Sequence, residues 1–393
     1  MLKIFHTIYR TSAIFLMCCG CLFSVSCSHK SEVYDSIKTY NLDNLAEGEI
    51  QDIFSDVELI ELQFDGDDYP RSISNLHLDS DRVFISARQK FYVYSSDGKL
   101  ISSSLSKKGN GPGEFAVSIG FSWNPYSKQI EVLTPQKVMF YDENFNFIRE
   151  SKLETKFKNA ENPEPLFFDE ILDLSPQLHV LRPTSISESP YRFLIYDSVS
   201  EEILGEVSYA DDVITGFNQQ PVSFFRLPDD VIMTHPRCVD PYTYEFNPTN
   251  YTLSKRIMVD LGNKGLTKED VNAHSHDEFN YVRACDKYIP LTTLVSSNRL
   301  IVRFKQSDMN SDDFFVLFSD NQPDGLKFNW CNSDIKQIFP SLYYIDEDYA
   351  YGLSINHYIK DSPEMVLGQS EKMNQLQSMD DESWVLLKYK FKD

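Results

Sequence analysis

The sequence predicts an all-β fold: a six-bladed β-propeller closed by an N-terminal strand that completes the last blade. Three observations predict it. Aromatic residues make up 13% of the 393 residues, with 28 Phe and 22 Tyr against 3 Trp, a composition suited to pleated, half-buried surfaces. Past residue 50, a unit of four short alternating strands recurs with a period of about 40 residues, which marks a repeat architecture. The final unit is one strand short, and a lone strand-like segment precedes the first.

Residues 1–26 read as an export signal. Lys3 and Arg10 form a basic head, an apolar stretch containing Ile14, Phe15, Leu16, Met17, Leu22 and Phe23 follows, and small residues close it at Ser24 and Ser26. The apolar part is too short and too interrupted by Cys and Gly for a spanning helix of ~20 residues. The segment FSVSC, Phe23 to Cys27, resembles the lipobox of bacterial lipoproteins, with Ser24 where the pattern prefers Leu, a departure that the looser Bacteroidetes version tolerates. The resemblance implies a lipidated Cys27. Cys21, after Gly20, is a second candidate, and an ordinary secretory signal ending near Ser26 is the competing reading. Acyl chains contribute ~0.8 kcal/mol per buried methylene, so several on one cysteine anchor a domain without a spanning helix. Ser28 resembles the second residue of lipoproteins sent to an outer membrane. SHKSE offers only Glu32 as an acidic residue, which favours the periplasmic face over the cell surface. Residues 27–50 are then a lipidated, polar tether, and 51–393 the propeller.

The blades follow in order. The first is ISNLHLD, RVFISA and KFYVYSSDGKLISSSLS, with turns at Asp79 to Asp81 and at Ser96-Asp97-Gly98; the second is VSIGFSW, KQIEVLT, KVMFYDEN and FNFIRES. The third is EILDLS, QLHVLRP, YRFLIYD and EEILGEVSY, and the fourth FFRLPD, DVIMTHP, YTYEFNP and TLSKRIMVDLG. Their third strands end in an aromatic and a polar turn, the chemistry of tight hairpins. An insertion, NKGLTKEDVNAHSHDEF, precedes the fifth, which runs LTTLVSS, RLIVRFK, FFVLFSD and LKFNWCN. The sixth has SLYYIDED and YAYGLSI, a helical excursion from about Glu364 to Met379, and WVLLKYKF. DVELIELQF, residues 56–64, supplies the missing strand and closes the ring, removing two open edges.

GNGPGEF, Gly109 to Phe115, follows the first blade. Together with SSDGKLI and the terminal WVLLKYKF it resembles the GxGPGE-type motif of the six-bladed β-propeller lipoproteins of Bacteroidetes, over residues 50–393. The resemblance implies a propeller in the cell envelope and assigns little chemistry. Gly109, Gly111 and Gly113 permit positive φ or close backbone approach, and Pro112 stiffens the crossing to the next blade. Glu114 either bonds loop amides or faces the ring opening toward a ligand. A dinucleotide reading fails because no βαβ unit follows these glycines.

The acidic excess, 59 Asp and Glu against 37 Lys and Arg for a net charge of −22, repels phosphate backbones and argues against a nucleic-acid partner. After the signal only Cys238, Cys285 and Cys331 remain, an odd set without metal-ligand spacing, best read as small buried packing residues with one pairing open. No cofactor is required by the sequence. For zinc the densest set is His274, His276 and Asp277, with Glu269 or Asp270 folding back, against a solvated loop; calcium would need oxygen ligands converging on the axis. His77, His179, His235 and His357 sit on different blades as packing residues, and no Ser-His-Asp set is identifiable.

Two functions remain. The favoured one is a binding or scaffold module for a glycan, peptide or envelope protein, with Trp123, Tyr126, Tyr242 and Tyr244 near strand ends where rings stack on sugars. The alternative is a carboxylate- or metal-dependent hydrolase or lyase working in the axial channel. Convergent open carboxylates would favour chemistry; a plugged or apolar funnel would favour recognition.

Overall fold

Near-continuous apolar runs in the middle strands, such as Arg82–Ala87 and Phe314–Ser319, give a four-strand unit two buried faces, and a sheet so built is stable only between neighbours. The computed structural model describes residues 37–64, 73–79, 81–87, 89–153, 167–184, 192–209, 214–215, 222–236, 238–274, 281, 285–306, 313–329, 331–332, 337–338 and 341–392. Cys27 and the export signal lie outside the described residues.

Six sheets form the ring. From the innermost strand outward, blade 1 is Asn75–Asp79, Arg82–Ala87, Lys90–Ser95 and Leu100–Ser103. Blade 2 is Gly120–Asn124, Gln129–Leu133, Lys137–Tyr141 and Phe147–Lys152. Blade 3 is Phe168–Asp173, Leu178–Pro183, Arg192–Asp197 and Glu202–Ser208. Blade 4 is Phe224–Arg226, Ile232–Thr234, Tyr242–Asn247 and Thr252–Asp260. Blade 5 is Tyr288–Val295, Arg299–Gln306, Phe314–Ser319 and Leu326–Phe328. Blade 6 is Ser341–Ile345, Tyr349–Ile355, Trp384–Phe391 and, outermost, Phe54–Leu62. Phe54–Leu62 pairs antiparallel with Trp384–Phe391, Leu59 opposite Leu387 and Leu62 opposite Trp384. The ring closes as the sequence predicts.

The expected tether needs correction. Lys38–Asn41 pairs parallel with the outer strand of blade 4, Lys38 opposite Ile257, and Ala46–Gly48 pairs parallel with the outer strand of blade 5, Ala46 opposite Leu326. Both become fifth strands, covering edges that would otherwise offer open backbone groups. Tyr40 stacks on Phe318 at 4.6 Å, and a Cβ on Gly48 would lie 2.7 Å from Leu326, so glycine permits the second contact. The chain therefore joins the propeller at residue 38. The helical excursion also begins early, with helices at Asn356–Lys360 and Ser370–Ser378 that sink Ile359 and Leu376 into the core.

The core lies between blades, in successive apolar layers. Phe84 of blade 1 stacks on Trp123 of blade 2 at 4.6 Å, and Phe193 of blade 3 meets Phe224 of blade 4 edge-on at 5.4 Å. Because the strands are antiparallel, the turns joining first to second and third to fourth strands share one face of the ring. The entries into the inner strands share the other.

Candidate functional site

The glycine motif is a folded clamp. Glu114 turns back so that its Oε2 accepts from the Gly111 N–H at 2.9 Å, and the Glu114 N–H donates to the Gly111 carbonyl at 3.0 Å. A Cβ on Gly109 would stand 2.0 Å from that carboxylate oxygen. Gly113, at φ +72°, would bring a Cβ to within 2.7 Å of Phe147. Pro112 is exposed, and Phe115 is buried between Phe91 and Tyr141. Of the two readings of Glu114, the structure has it bonding loop amides.

In the fifth-blade insertion a helix, Lys268–Ala273, stands where the sequence suggests an open loop. Thr267 caps it and Asp270 completes the capping box while also pairing with Lys287 at 3.4 Å. Asp270 is thus committed to the helix start, and His274 stacks on Tyr281 at 3.7 Å. His276 and Asp277 lie outside the described residues. The thiol of Cys285 packs with Val239, Leu266 and Val271; Cys238 and Cys331 fall in two short strands. Of the rings nominated for sugar stacking, Trp123 and Tyr244 are buried, Tyr242 is half-buried, and the hydroxyl of the exposed Tyr126 donates to Asp230 and accepts from Arg226 of blade 4.

The structure does assemble a polar centre that sequence reading missed. Glu131 of blade 2 and Asp173 and His179 of blade 3 converge between the two blades, with 0–1% exposure. His179 Nδ1 lies 2.8 Å from Asp173 Oδ1 and 3.1 Å from Glu131 Oε2; Nε2 lies 3.0 Å from Ser198 Oγ. Ser122 donates to Asp173 Oδ2 at 2.7 Å and Asn124 to Glu131 Oε1 at 2.9 Å. Burial opposes a charge on His179, yet the two carboxylates overcome it and push its pKa up to about 10. Burial and then the Asp173 charge push Glu131 upward.

Ser198, His179 and Asp173 thus have the connectivity of a nucleophilic triad, a set not identifiable in the sequence, which corrects the reading of His179 as a packing residue. They cannot work as one. Ser198 is 2% exposed, and its hydroxyl donates to the Gln177 carbonyl at 3.2 Å, so the proton a base would take points away from the imidazole. The signal available in the sequence was a glutamate inside the apolar strand QIEVL; the partner blade was not legible.

Blade 3 buries a second charged set at its opposite end. Arg182, 2% exposed, contacts Asp169 at 2.7 Å and also Glu170 and Ser223, tying blade 3 to blade 4.

The open site is elsewhere. Among the described residues, a small cleft of about 190 Å³ lies between blades 5 and 6 beside the entry to blade 1, lined by Leu294, Ile301, Phe315 and Leu342, with Ser341 and Arg303 among its polar groups. Arg303 is held by Asp313 at 2.5 and 3.1 Å, and Tyr343 spans blades 6 and 1 by donating to the Ile73 carbonyl at 2.9 Å. Burial pushes the Tyr343 hydroxyl up to about 12, so it remains a donor.

Comparison with known proteins agrees with this architecture. The model of a family described as 6-bladed beta-propeller, DUF5128, matches residues 28–348. A solved protein of Bacteroides fragilis, named for its expected export, superposes with a TM-score of 0.69 at 14% identity, covering 91% of this chain and 100% of its own. A member of the duf4221 family from Bacteroides vulgatus superposes with a TM-score of 0.51 at 11% identity, covering 86% of this chain and 98% of its own. At such identities the likeness is one of fold. No curated protein matches the sequence.

Proposed function

We propose a function from one premise: this chain belongs to the six-bladed β-propeller family. It is a binding module, held at an envelope membrane by a lipidated Cys27, and its cleft between blades 5, 6 and 1 seats a peptide segment of a partner. The observation carrying the binding reading is a contrast between two polar sites. The carboxylates that converge are sealed, out of reach of a substrate, whereas the cleft is open, partly apolar and has room for about one side chain of a bound segment. A peptide is favoured over a glycan because Trp123 and Tyr244 lie in the core and Tyr126 is engaged by Arg226 and Asp230. The apolar walls suit a hydrophobic side chain, and the Ser341 hydroxyl at the exposed rim suits backbone groups.

Support for the envelope comes from FSVSC and the basic, apolar leader, and from the structural neighbour named for export. No helix among the described residues is long and apolar enough to cross a membrane. Two experiments test the proposal on the full chain. Cys27→Ser should move the protein from membrane to soluble fractions; continued membrane retention would reject the anchor. Ser341→Trp should block the cleft and lower retention on arrayed hydrophobic peptides by ~10-fold or more, about 1.4 kcal/mol. Retention unchanged by Ser341→Trp, or peptide hydrolysis without stable retention, would overturn the binding assignment.

A further inference from the structure

We propose that Glu131, Asp173 and His179 bind one divalent transition-metal cation of the zinc type, which ties blade 2 to blade 3. The argument begins at Ser198. Its single hydroxyl proton goes to the Gln177 carbonyl, so its oxygen accepts from Arg149 at 3.1 Å and from His179 Nε2–H at 3.0 Å. This places a proton on Nε2 and turns Nδ1 toward the two carboxylates.

Each carboxylate is likewise held by its far oxygen. Asp173 Oδ2 accepts from Ser122, and Glu131 Oε1 accepts from Asn124. The near atoms, Asp173 Oδ1, Glu131 Oε2 and His179 Nδ1, lie within 4.8 Å of one another. All three have lone pairs to offer one ion when the imidazole is neutral and the acids ionised.

A proton on Nδ1 is directed to Asp173 Oδ1 at 2.8 Å and meets Glu131 Oε2 only as a charge contact at 3.1 Å, leaving that buried oxygen without a well-directed hydrogen bond, a costly state for a carboxylate oxygen. A cation serves all three at once. Hydrogen bonds that fix the outer atom of every ligand are the usual support of such a centre.

One imidazole and two carboxylates supply three of zinc's usual four positions, with bonds of ~2.0–2.2 Å, and the Nδ1 distances of 2.8 and 3.1 Å to the two oxygens would open by only several tenths of an ångström around the ion. Calcium, which takes about six to eight oxygens, fits poorly. Enclosure of all three residues means the ion enters as the ring folds and has a structural role.

The test measures metal in the full chain. Protein purified without chelator is assayed by elemental mass spectrometry, then unfolded with EDTA and refolded with zinc chloride or without metal. Roughly one equivalent of zinc that survives dialysis, with a higher melting temperature than the metal-free refolded protein, is the expected result. Glu131→Gln keeps an oxygen for Asn124 while removing one ligand, and should weaken zinc retention by ~10-fold or more. Should that variant fail to fold, the wild-type refolding comparison still decides. Less than a tenth of an equivalent after refolding in zinc, with the same melting temperature in zinc and EDTA, would overturn the site and leave an imidazolium shared by two acids.

Discussion

Truncating Phe54 tests whether the closing strand carries stability or merely trails along the last blade. Phe54 is 1% exposed and opens the strand that pairs with Trp384–Phe391. Its ring contacts Tyr389 and Phe391, each at 5.1 Å between centroids. Deleting a buried phenyl ring costs about 3–5 kcal/mol, and ring pairs of this geometry are worth about 0.5–1.5 kcal/mol beyond their area. Two such contacts place Phe54→Ala near the top of the range, about 4–5 kcal/mol, roughly a 10³-fold to 4 × 10³-fold shift in the folded-to-unfolded ratio. The assay is guanidinium unfolding followed by tryptophan fluorescence, because Trp384 lies at the far end of the same strand pair, opposite Leu62. The midpoint should fall sharply, with the transition still single. A loss below ~1 kcal/mol, typical of a surface site, would refute the closure argument, since a dispensable strand would feel no more than that.

Three further outcomes follow from the same geometry. His235 is buried and neutral, its pKa driven down to about 4 by desolvation, against ~6.5 in the unfolded chain. The unfolded state therefore binds more protons between these values, and stability should fall by up to about 1.4 kcal/mol per pH unit as pH drops from ~6.5 to ~4; urea midpoints for wild type and His235→Asn across that window check this, the variant being flatter. Gly113→Ala forces a Cβ at φ +72° against Phe147 and should lower stability by about 1–3 kcal/mol in thermal melts, whereas Ala at the exposed Pro112 should change it by less than ~1 kcal/mol. Arg182→Met removes the cation from the half-buried Asp169 and the buried Glu170 and should cost about 3–5 kcal/mol by stripping the Glu170 carboxylate of its counter-charge; restoring most of that stability by adding Asp169→Asn and Glu170→Gln is the double-change control.

The blades were legible because a strand buried on both faces states its length and register locally, in runs such as RVFISA and FFVLFSD. Closure was legible for a related reason: WVLLKYKF lacked a partner and DVELIELQF lacked a blade. The strap at Lys38–Asn41 and Ala46–Gly48 was not, because beyond a few buried residues such as Tyr40 and Leu42 it meets the edges of blades 4 and 5 through backbone pairing, which leaves little hydrophobic periodicity.

The glycine clamp stood between these cases. GNGPGEF announced a special backbone, but only the fold decided that Glu114 answers Gly111. The Glu131, Asp173 and His179 centre was hidden most deeply, since its members come from two blades and each alone reads as an ordinary strand or turn residue. Local pattern fixes which residues form a sheet and which face is apolar. Which polar groups meet is set by the angle at which one completed blade packs on the next, a property of the closed ring that no single segment encodes.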